Sequence, residues 1–398
     1  MYIRYVIYLK LLLLTSTYLY SSAFSVLKEL DVGARASVTY DSNLFGVSKD
    51  VFSSARISNK EVESNDDFIL NFSPSVHFSR ELYLLNISGS AGVSMTRYIK
   101  NSDKSHIVPI TTLSLDFDES LKKRLSTNAK IRFDATFDLG QHVDTSIVDQ
   151  DLVSYSYFTT NINVRYNHST KFGVGGGTSY SFKDYQSGSI NSYNDLSTLP
   201  LSLRAFYIYS EKLDIFTDYT TTISISDASS LNAADSTNHS ISFGLNGEYS
   251  SKLSGKISLG YSWIDYEKPN LNSTSSLVTS LDLTWKHNSK TSSSYFVSRQ
   301  FSPTAQGTST LGTNLGTRID HKLTDRLRSN ANISYTNLDY TDNNNGSSSL
   351  DQIGLGLGLD YNWSENIIIG TSYNFSLIDY VAENYDRHSF EIYASGRF

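Results

Sequence analysis

The chain has 398 residues, of which 18% are charged and 13% aromatic, with 5 prolines, no cysteine and a formal net charge of −7. The missing cysteine excludes a disulfide scaffold, a thiolate metal site and a cysteine nucleophile, and the acidic balance argues against nucleic acid as partner. With 28 Tyr and 20 Phe against 2 Met and 3 Trp, and no long apolar run beyond the first two dozen residues, the composition favours strands with aromatic edges over packed or membrane-spanning helices.

Residues 1–23 have the layout of a secretory signal. Arg4 and Lys10 supply positive charge, Val6 to Leu14 forms the apolar stretch, and Ser21-Ser22-Ala23 offers small residues for cleavage. Residues 24–398 then form one unit. Its dominant pattern is period-two alternation, which marks strands with two unlike faces. Ala129, Ile131, Phe133, Ala135 and Phe137 alternate with Lys130, Arg132, Asp134, Thr136 and Asp138. Leu277, Thr279, Leu281, Leu283 and Trp285 alternate with Val278, Ser280, Asp282, Thr284 and Lys286, and Ile353 to Trp363 alternates with Gln352 to Asn362 in the same way.

Short polar turns separate these strands in pairs: Ser79–Glu81, Leu121–Arg124, His168–Lys171, Ser210–Lys212, Ser250–Lys252, Asn288–Lys290, Thr324–Arg326 and Ser364–Asn366. They recur at a spacing of about 40 residues, the length of a hairpin with its loop. Longer polar stretches lie between them: Asp41–Asn65, Asn101–His106, Leu139–Asp149, Gln186–Tyr193, Asp227–Asn238, Lys268–Ser275, Pro303–Ser309, Thr341–Ser348 and Ala382–Arg387. Turns on one rim and loops on the other predict an all-β, transmembrane, antiparallel up-and-down β-barrel with short periplasmic turns and longer extracellular loops. The spacing predicts about 18 strands, with 16 the alternative, and a barrel of that width encloses an aqueous lumen unless loops fill it.

Four strand ends carry one pattern: Tyr180 to Asp184-Tyr185, Tyr261 to Asp265-Tyr266, Tyr335 to Asp339-Tyr340 and Phe375 to Asp379-Tyr380. An aromatic girdle at the bilayer boundary accounts for it most simply. The sharper reading is a ring of Asp and Tyr at the outer mouth, suited to hydrogen-bonding and stacking on sugars. Trp285 and Trp363, near short turns, belong to the opposite girdle. The run Gly173-Val174-Gly175-Gly176-Gly177 lies inside an alternating strand with no helix after it, so close approach of lumen side chains explains it better than phosphate binding.

The alternation nominates lumen-lining charges: Lys130, Arg132, Asp134, Arg204, Asp218, Glu248, Lys286, Arg318, Asp320 and Asp360, with Asp116, Lys256 and Asp282 beside them. Their mixed signs predict weak ion selectivity unless opposite charges segregate across the pore. No enzyme is expected. The eight histidines fall singly, and HExxH, GxSxG and Walker motifs are missing. Asp342-Asn343-Asn344-Asn345-Gly346 lacks the acid that closes a calcium loop, so turn chemistry explains it. No metal or other cofactor is expected.

Val38-Thr39-Tyr40-Asp41-Ser42-Asn43-Leu44-Phe45, followed by Asp67-Phe68-Ile69-Leu70-Asn71-Phe72-Ser73-Pro74, resembles the start of a known family, and Trp363–Asn366 through Ile378-Asp379-Tyr380 to Arg387 and Phe398 resembles its ending. The likeness is to the EpsL-like, exopolysaccharide-operon members of the family called putative β-barrel porin 2. It implies an outer-membrane, porin-like protein of a Gram-negative bacterium and brings no catalytic residues. The alternating terminal strand ending in Phe398 resembles the signal by which such barrels meet the barrel-assembly machinery, the bulkier residue often found near the end being replaced by Gly396. Outer-membrane lipid, lipopolysaccharide and exopolysaccharide are the remaining expected partners. The expected function is passive passage of small hydrophilic solutes or saccharides. The alternative is a structural or surface-interaction barrel whose loops bind polymer or a partner without an open pore.

Overall fold

In the computed structural model, residues 30–48, 64–118, 131–146, 151–185, 194–226, 235–267, 272–304, 309–340, 348–380 and 383–398 are described. They form eighteen strands and a single 3-10 turn at Ser102–Lys104. The first nine strands are β1 (Leu30–Asp41), β2 (Asp67–Leu82), β3 (Leu85–Tyr98), β4 (His106–Asp118), β5 (Ile131–Ser146), β6 (Asp151–Asn167), β7 (Phe172–Tyr185), β8 (Leu196–Ser210) and β9 (Leu213–Ser226). The second nine are β10 (Ser236–Glu248), β11 (Leu253–Tyr266), β12 (Thr274–Lys286), β13 (Thr291–Pro303), β14 (Ser309–Lys322), β15 (Leu327–Tyr340), β16 (Ser348–Asn362), β17 (Ile367–Tyr380) and β18 (Glu383–Arg397). The expected signal peptide, the turn at Leu121–Arg124 and the candidate Lys130 lie outside the described residues.

Each strand pairs antiparallel with its sequence neighbours, and β18 returns to β1 from Gly33↔Arg397 to Asp41↔Ser389. Val32 and Phe398 exchange backbone hydrogen bonds of 2.7 and 2.8 Å at the end of this seam. The sheet is therefore closed and has no free edge. Three ion pairs run along the seam: Arg397 to Asp31 at 2.8 Å, Arg35 to Glu391 at 2.9 Å and Arg387 to Asp41 at 2.6 Å.

Register sorts the side chains into two faces. Ala36, Val38 and Tyr40 lie opposite Phe72, Leu70 and Phe68, whereas Arg35, Ser37 and Thr39 lie opposite Ser73, Asn71 and Ile69. The apolar set is the outer one, where Leu203, Phe243 and Leu277 are 69%, 66% and 63% exposed and form part of a belt that lipid would cover. Covering each such side chain contributes about 1.5–3 kcal/mol. The polar set looks inward: Arg165 on β6 reaches Asp214 on β9 at 2.6 Å, past β7 and β8, as only the concave face permits.

The strands run from 12 to 17 residues, more than the roughly 9–11 that cross a bilayer. This overhang corrects three boundaries. The expected loop Leu139–Asp149 is largely paired, because β5 and β6 zip from Ile131↔Tyr166 to Ser146↔Asp151. Most of the expected loop Ala382–Arg387 belongs to β18, which pairs with β17 from Tyr380↔Glu383. Polar pairs beyond the bilayer need no apolar face, so their composition resembles a loop. The expected turn Ser79–Glu81 is the end of β2, and the chain reverses at Tyr83-Leu84 with Tyr83 at φ 38°.

The other described short turns share a device. A Ser, Thr or Asn opens the turn and its side-chain oxygen accepts the backbone N–H two residues on, as at Ser210 and Ser364, and in four turns also the one three residues on, holding the reversal in place. Ser169 Oγ accepts from Lys171 and Phe172, Ser250 Oγ from Lys252 and Leu253, Thr324 Oγ1 from Arg326 and Leu327, and Asn288 Oδ1 from Lys290 and Thr291 at 2.8 Å each. Asn288→Ala is expected to lower folding free energy by about 0.5–1.5 kcal/mol in urea titrations of the vesicle-inserted protein, and Asn288→Ser to recover most of it. An alanine variant as stable as wild type would show that strand pairing alone holds the turn.

Candidate functional site

The inner wall is built by the polar half of the alternation. Register places every described lumen candidate on it: Arg132 opposite Arg165, Asp134 opposite Asn163, Arg204 opposite Asp218, Glu248 opposite Ser254 and Lys286 opposite Ser292. Arg318 and Asp320 lie opposite Asn332 and Asn330, and Asp360 opposite Arg328. Asp116 faces Asp134, and Lys256 faces Asp282.

Opposite charges on this wall largely neutralise one another. Arg204 donates to Asp218 through both Nε and Nη2, and Arg318 contacts Asp320 at 2.9 Å. Asn163 Nδ2 donates to Asp134 at 2.9 Å, and Tyr393 donates its hydroxyl to Asp360. In the turn below, Lys212 meets Glu248 at 2.7 Å. These pairs are partly hydrated, so each contributes about 0–1 kcal/mol and serves the local potential of the lumen more than stability.

Aromatic rings interleave with the cations. The Arg165 guanidinium lies 4.3 Å from the Phe206 ring centroid, Arg204 lies 5.8 Å from Phe206 and 4.6 Å from Phe216, and Lys256 Nζ lies 5.5 Å from Phe216. This ladder crosses β6, β8, β9 and β11. Gly175 permits it: a Cβ there would stand 3.0 Å from the Phe206 ring and 3.1 Å from the Val164 carbonyl. On the opposite wall, a Cβ on Gly356 would stand 2.4 Å from Asn332 Nδ2, so the glycine lets that amide lie flat against β16. Sequence reasoning missed Arg165, Asp214, Phe206 and Phe216. Alternation marks the first two, but the two phenylalanines sit on the polar face and break the pattern that finds lining residues.

The Asp-Tyr repeats all end at the outer rim, but each splits between faces as adjacent strand residues must. Tyr185, Tyr266, Tyr340 and Tyr380 share the inner register, whereas Asp184, Asp265, Asp339 and Asp379 share the outer one. Tyr340 and Tyr380, 6.3 Å apart, pack with Leu338 against buried Leu350, Ile378 and Tyr385, while Tyr185 meets Tyr155 at 5.1 Å. The leading residues Tyr180, Tyr261, Tyr335 and Phe375 fall on the outer face, opposite Thr160, Leu277, Leu315 and Leu355. Trp285 and Trp363, 46% and 63% exposed, stand at the turn rim.

The most deeply buried segment follows β1. Leu44, Phe45 and Val47 are 2%, 0% and 0% exposed and pack with Tyr98, Ile69 and Leu152. Ile69 and Tyr98 face each other on the inner register of β2 and β3, so the segment sits against the inside of the outer mouth. Asn43 holds it: Nδ2 donates to the Val47 carbonyl at 2.8 Å, Oδ1 accepts from Val47 N at 3.0 Å, and Asp41 Oδ1 accepts from Asn43 N. Gly46, at φ 65°, takes the left-handed position the bend requires. Beside it, buried Asp67 accepts backbone N–H groups from Ile99, Lys100 and Asn101 at 2.8–3.0 Å. Above the strands, the Lys100 ammonium 2.7 Å away, with Ser64 Oγ, holds the Asp66 carboxyl below its usual range. That contribution is present at neutral pH and is lost as pH falls through the lowered value.

Among the described residues no group of three or more metal-ligating side chains occurs. Asn43→Ala would strand the buried Val47 N–H and carbonyl at a cost of about 1–3 kcal/mol. Hydrogen exchange of residues 42–48 is expected to quicken while the barrel strands stay protected. Unchanged exchange would show that apolar packing alone holds the segment.

The chain is similar to several solved structures. It covers 89% of itself and 63% of the FrpB iron transporter from Neisseria meningitidis (F3-3 variant) at 10% identity and TM-score 0.46, so it spans less than two thirds of that protein. It covers 93% of itself and 99% of the outer membrane protein opdK from Pseudomonas aeruginosa at 8% identity and TM-score 0.47. It covers 92% of itself and 98% of a bacterial polysaccharide outer membrane secretin at 11% identity and TM-score 0.36. No curated protein matches it. The family Putative beta-barrel porin 2 matches residues 46–397, nearly all of the barrel. With a closed wall, an apolar outer belt and a charged inner face, the chain belongs to this family of porin-like outer-membrane barrels.

Proposed function

We propose that the barrel gives passive passage to small hydrophilic solutes, saccharides among them, across the outer membrane, and that it serves the export of an exopolysaccharide as an EpsL-like member of its family. The observation that carries this reading is the inner wall: across the described strands its register positions are mostly Ser, Thr, Asn and paired charges, interrupted by Phe206, Phe216 and the apolar clusters near the outer mouth. Such a wall hydrates a lumen, which supports the passage of solutes through it. The ion pairs Arg35–Glu391, Arg165–Asp214, Arg204–Asp218 and Arg318–Asp320 hold the field along it close to neutral, which supports weak ion selectivity. The carboxyl-terminal strand that completes the seam is the piece offered to the assembly machinery, and lipid with lipopolysaccharide covers the outer belt.

A second reading, a barrel kept closed and used through its outer loops, is favoured by one observation: the packed segment around Phe45 lies inside the mouth. Planar-bilayer recording separates the two. Stepwise current, with a reversal potential near zero under a KCl gradient, is expected of the wild type, and a folded, inserted protein that passes no current would end the porin reading. Phe45→Ala removes a fully buried ring worth about 3–5 kcal/mol to its surroundings. It is expected to raise the step size. An unchanged step would show that this segment does not narrow the path.

A further inference from the structure

We propose that the lumen holds a binding site for sugars bearing a carboxylate, on the wall formed by β7 to β13 and reaching from Lys256 on the turn side toward Lys183 and Pro303 nearer the outer rim; the inference deepens the saccharide-passage reading and rests on it. A cavity of about 570 Å³ lies there, within the range of small-molecule sites. Its wall is closed on one side by an irregularity in the sheet. β12 and β13 pair only from Lys286↔Ser292 to Thr279↔Arg299, whereas β13 continues to Pro303 against β14. The parted end, Arg299 to Pro303, lines the same cavity as the inner faces of β7 to β11, and Phe301 there is 8% exposed although its register neighbours face outward.

The lining has two chemical characters. Hydroxyls come from several strands at once, among them Thr198 on β8, Thr222 on β9 and Ser240 on β10, with the Asn238 and Gln300 amides between them. Donors and acceptors on several sides suit a polyhydroxylated ring. The charges are of one sign. Lys256 and Lys183 line the cavity, and among the described residues no carboxylate does, in a chain whose net charge is −7. Lys256 has no ion-pair partner within 4 Å among the described residues. Its ammonium lies over the Phe216 ring, and the neighbouring Asp218 is held by Arg204. Asp282 faces Lys256 across the β11–β12 register but makes no ion pair with it, so a cation braced by a ring and unbonded to a carboxylate lies beside a cluster of hydroxyls, which matches a sugar acid and disfavours a neutral sugar by the lost charge-assisted bond.

Calorimetry of the detergent-solubilised full chain with galacturonate, trigalacturonate and glucose tests this without requiring an open pore. Galacturonate and its oligomer are expected to bind and glucose to bind at least about tenfold more weakly. Tighter binding of the trimer would place the site on a polymer's path, whereas equal binding would assign it to free sugar acids. Lys256→Gln should weaken galacturonate about tenfold and Lys256→Arg should restore it, while Lys290→Gln, in a turn at the opposite rim, should bind as wild type. Equal affinity for glucose and galacturonate, no heat with either, or a Lys256→Gln variant that keeps its preference would each overturn the proposal. Bilayer current in KCl, recorded on the same preparations, reports separately on passage through the barrel.

Discussion

Backbone pairing is the constraint from which this structure follows. Inside a bilayer an unpaired N–H or carbonyl costs several kcal/mol, so a sheet survives there only without edges. The seam between β1 and β18 meets that requirement, and the mutual bonds of Val32 and Phe398 carry it to the last residue. The three ion pairs along the seam are worth far less, being partly hydrated. Their role is to fix register. A slip of one residue would turn Arg35 and Glu391 toward lipid, where an arginine costs about 2–4 kcal/mol at the bilayer midplane and a glutamate less.

Closure leaves the inner face to be filled with polar groups at high density, and the wall does this with small residues. Gly175 and Gly356 let a ring and an amide lie flat against neighbouring strands. Arg165 and Arg204, stacked on Phe206 and Phe216, are held against the wall and each is also paired with an aspartate. The wall therefore differs around its circumference: a cation-aromatic ladder from β6 to β11, an apolar cluster inside the rim at β15 to β18, and a packed segment against β2 and β3.

What the sequence discloses follows from the same physics. The period-two pattern and the Ser, Thr or Asn that opens most of the described short turns are local signals, and they are sufficient for the strand number and for the split into a polar and an apolar face. Leu139–Asp149 was illegible because strands outside the bilayer lose the apolar half of their pattern while keeping their hydrogen bonds. Tyr83 carries a left-handed turn without the glycine that would announce one. Asn43-Leu44-Phe45 resembles the family's opening as a string of letters, but nothing local tells that these residues fold into the mouth, since their partners Tyr98 and Leu152 are far away in sequence. The parted end of β13 is hidden for the same reason: Phe301 keeps its alternation while its neighbour strand leaves it.

The seam also fixes an order of events. Its ion pairs join residues 346 to 366 positions apart, whereas every other strand pair joins sequence neighbours across a turn or loop. Hairpins such as β12–β13 can zip early at small entropic cost, but the β1–β18 closure bears the loop entropy of nearly the whole chain. Loop entropy therefore favours a curved ribbon whose two edges meet last. The strand that bears Phe398 is the one on which the ring shuts.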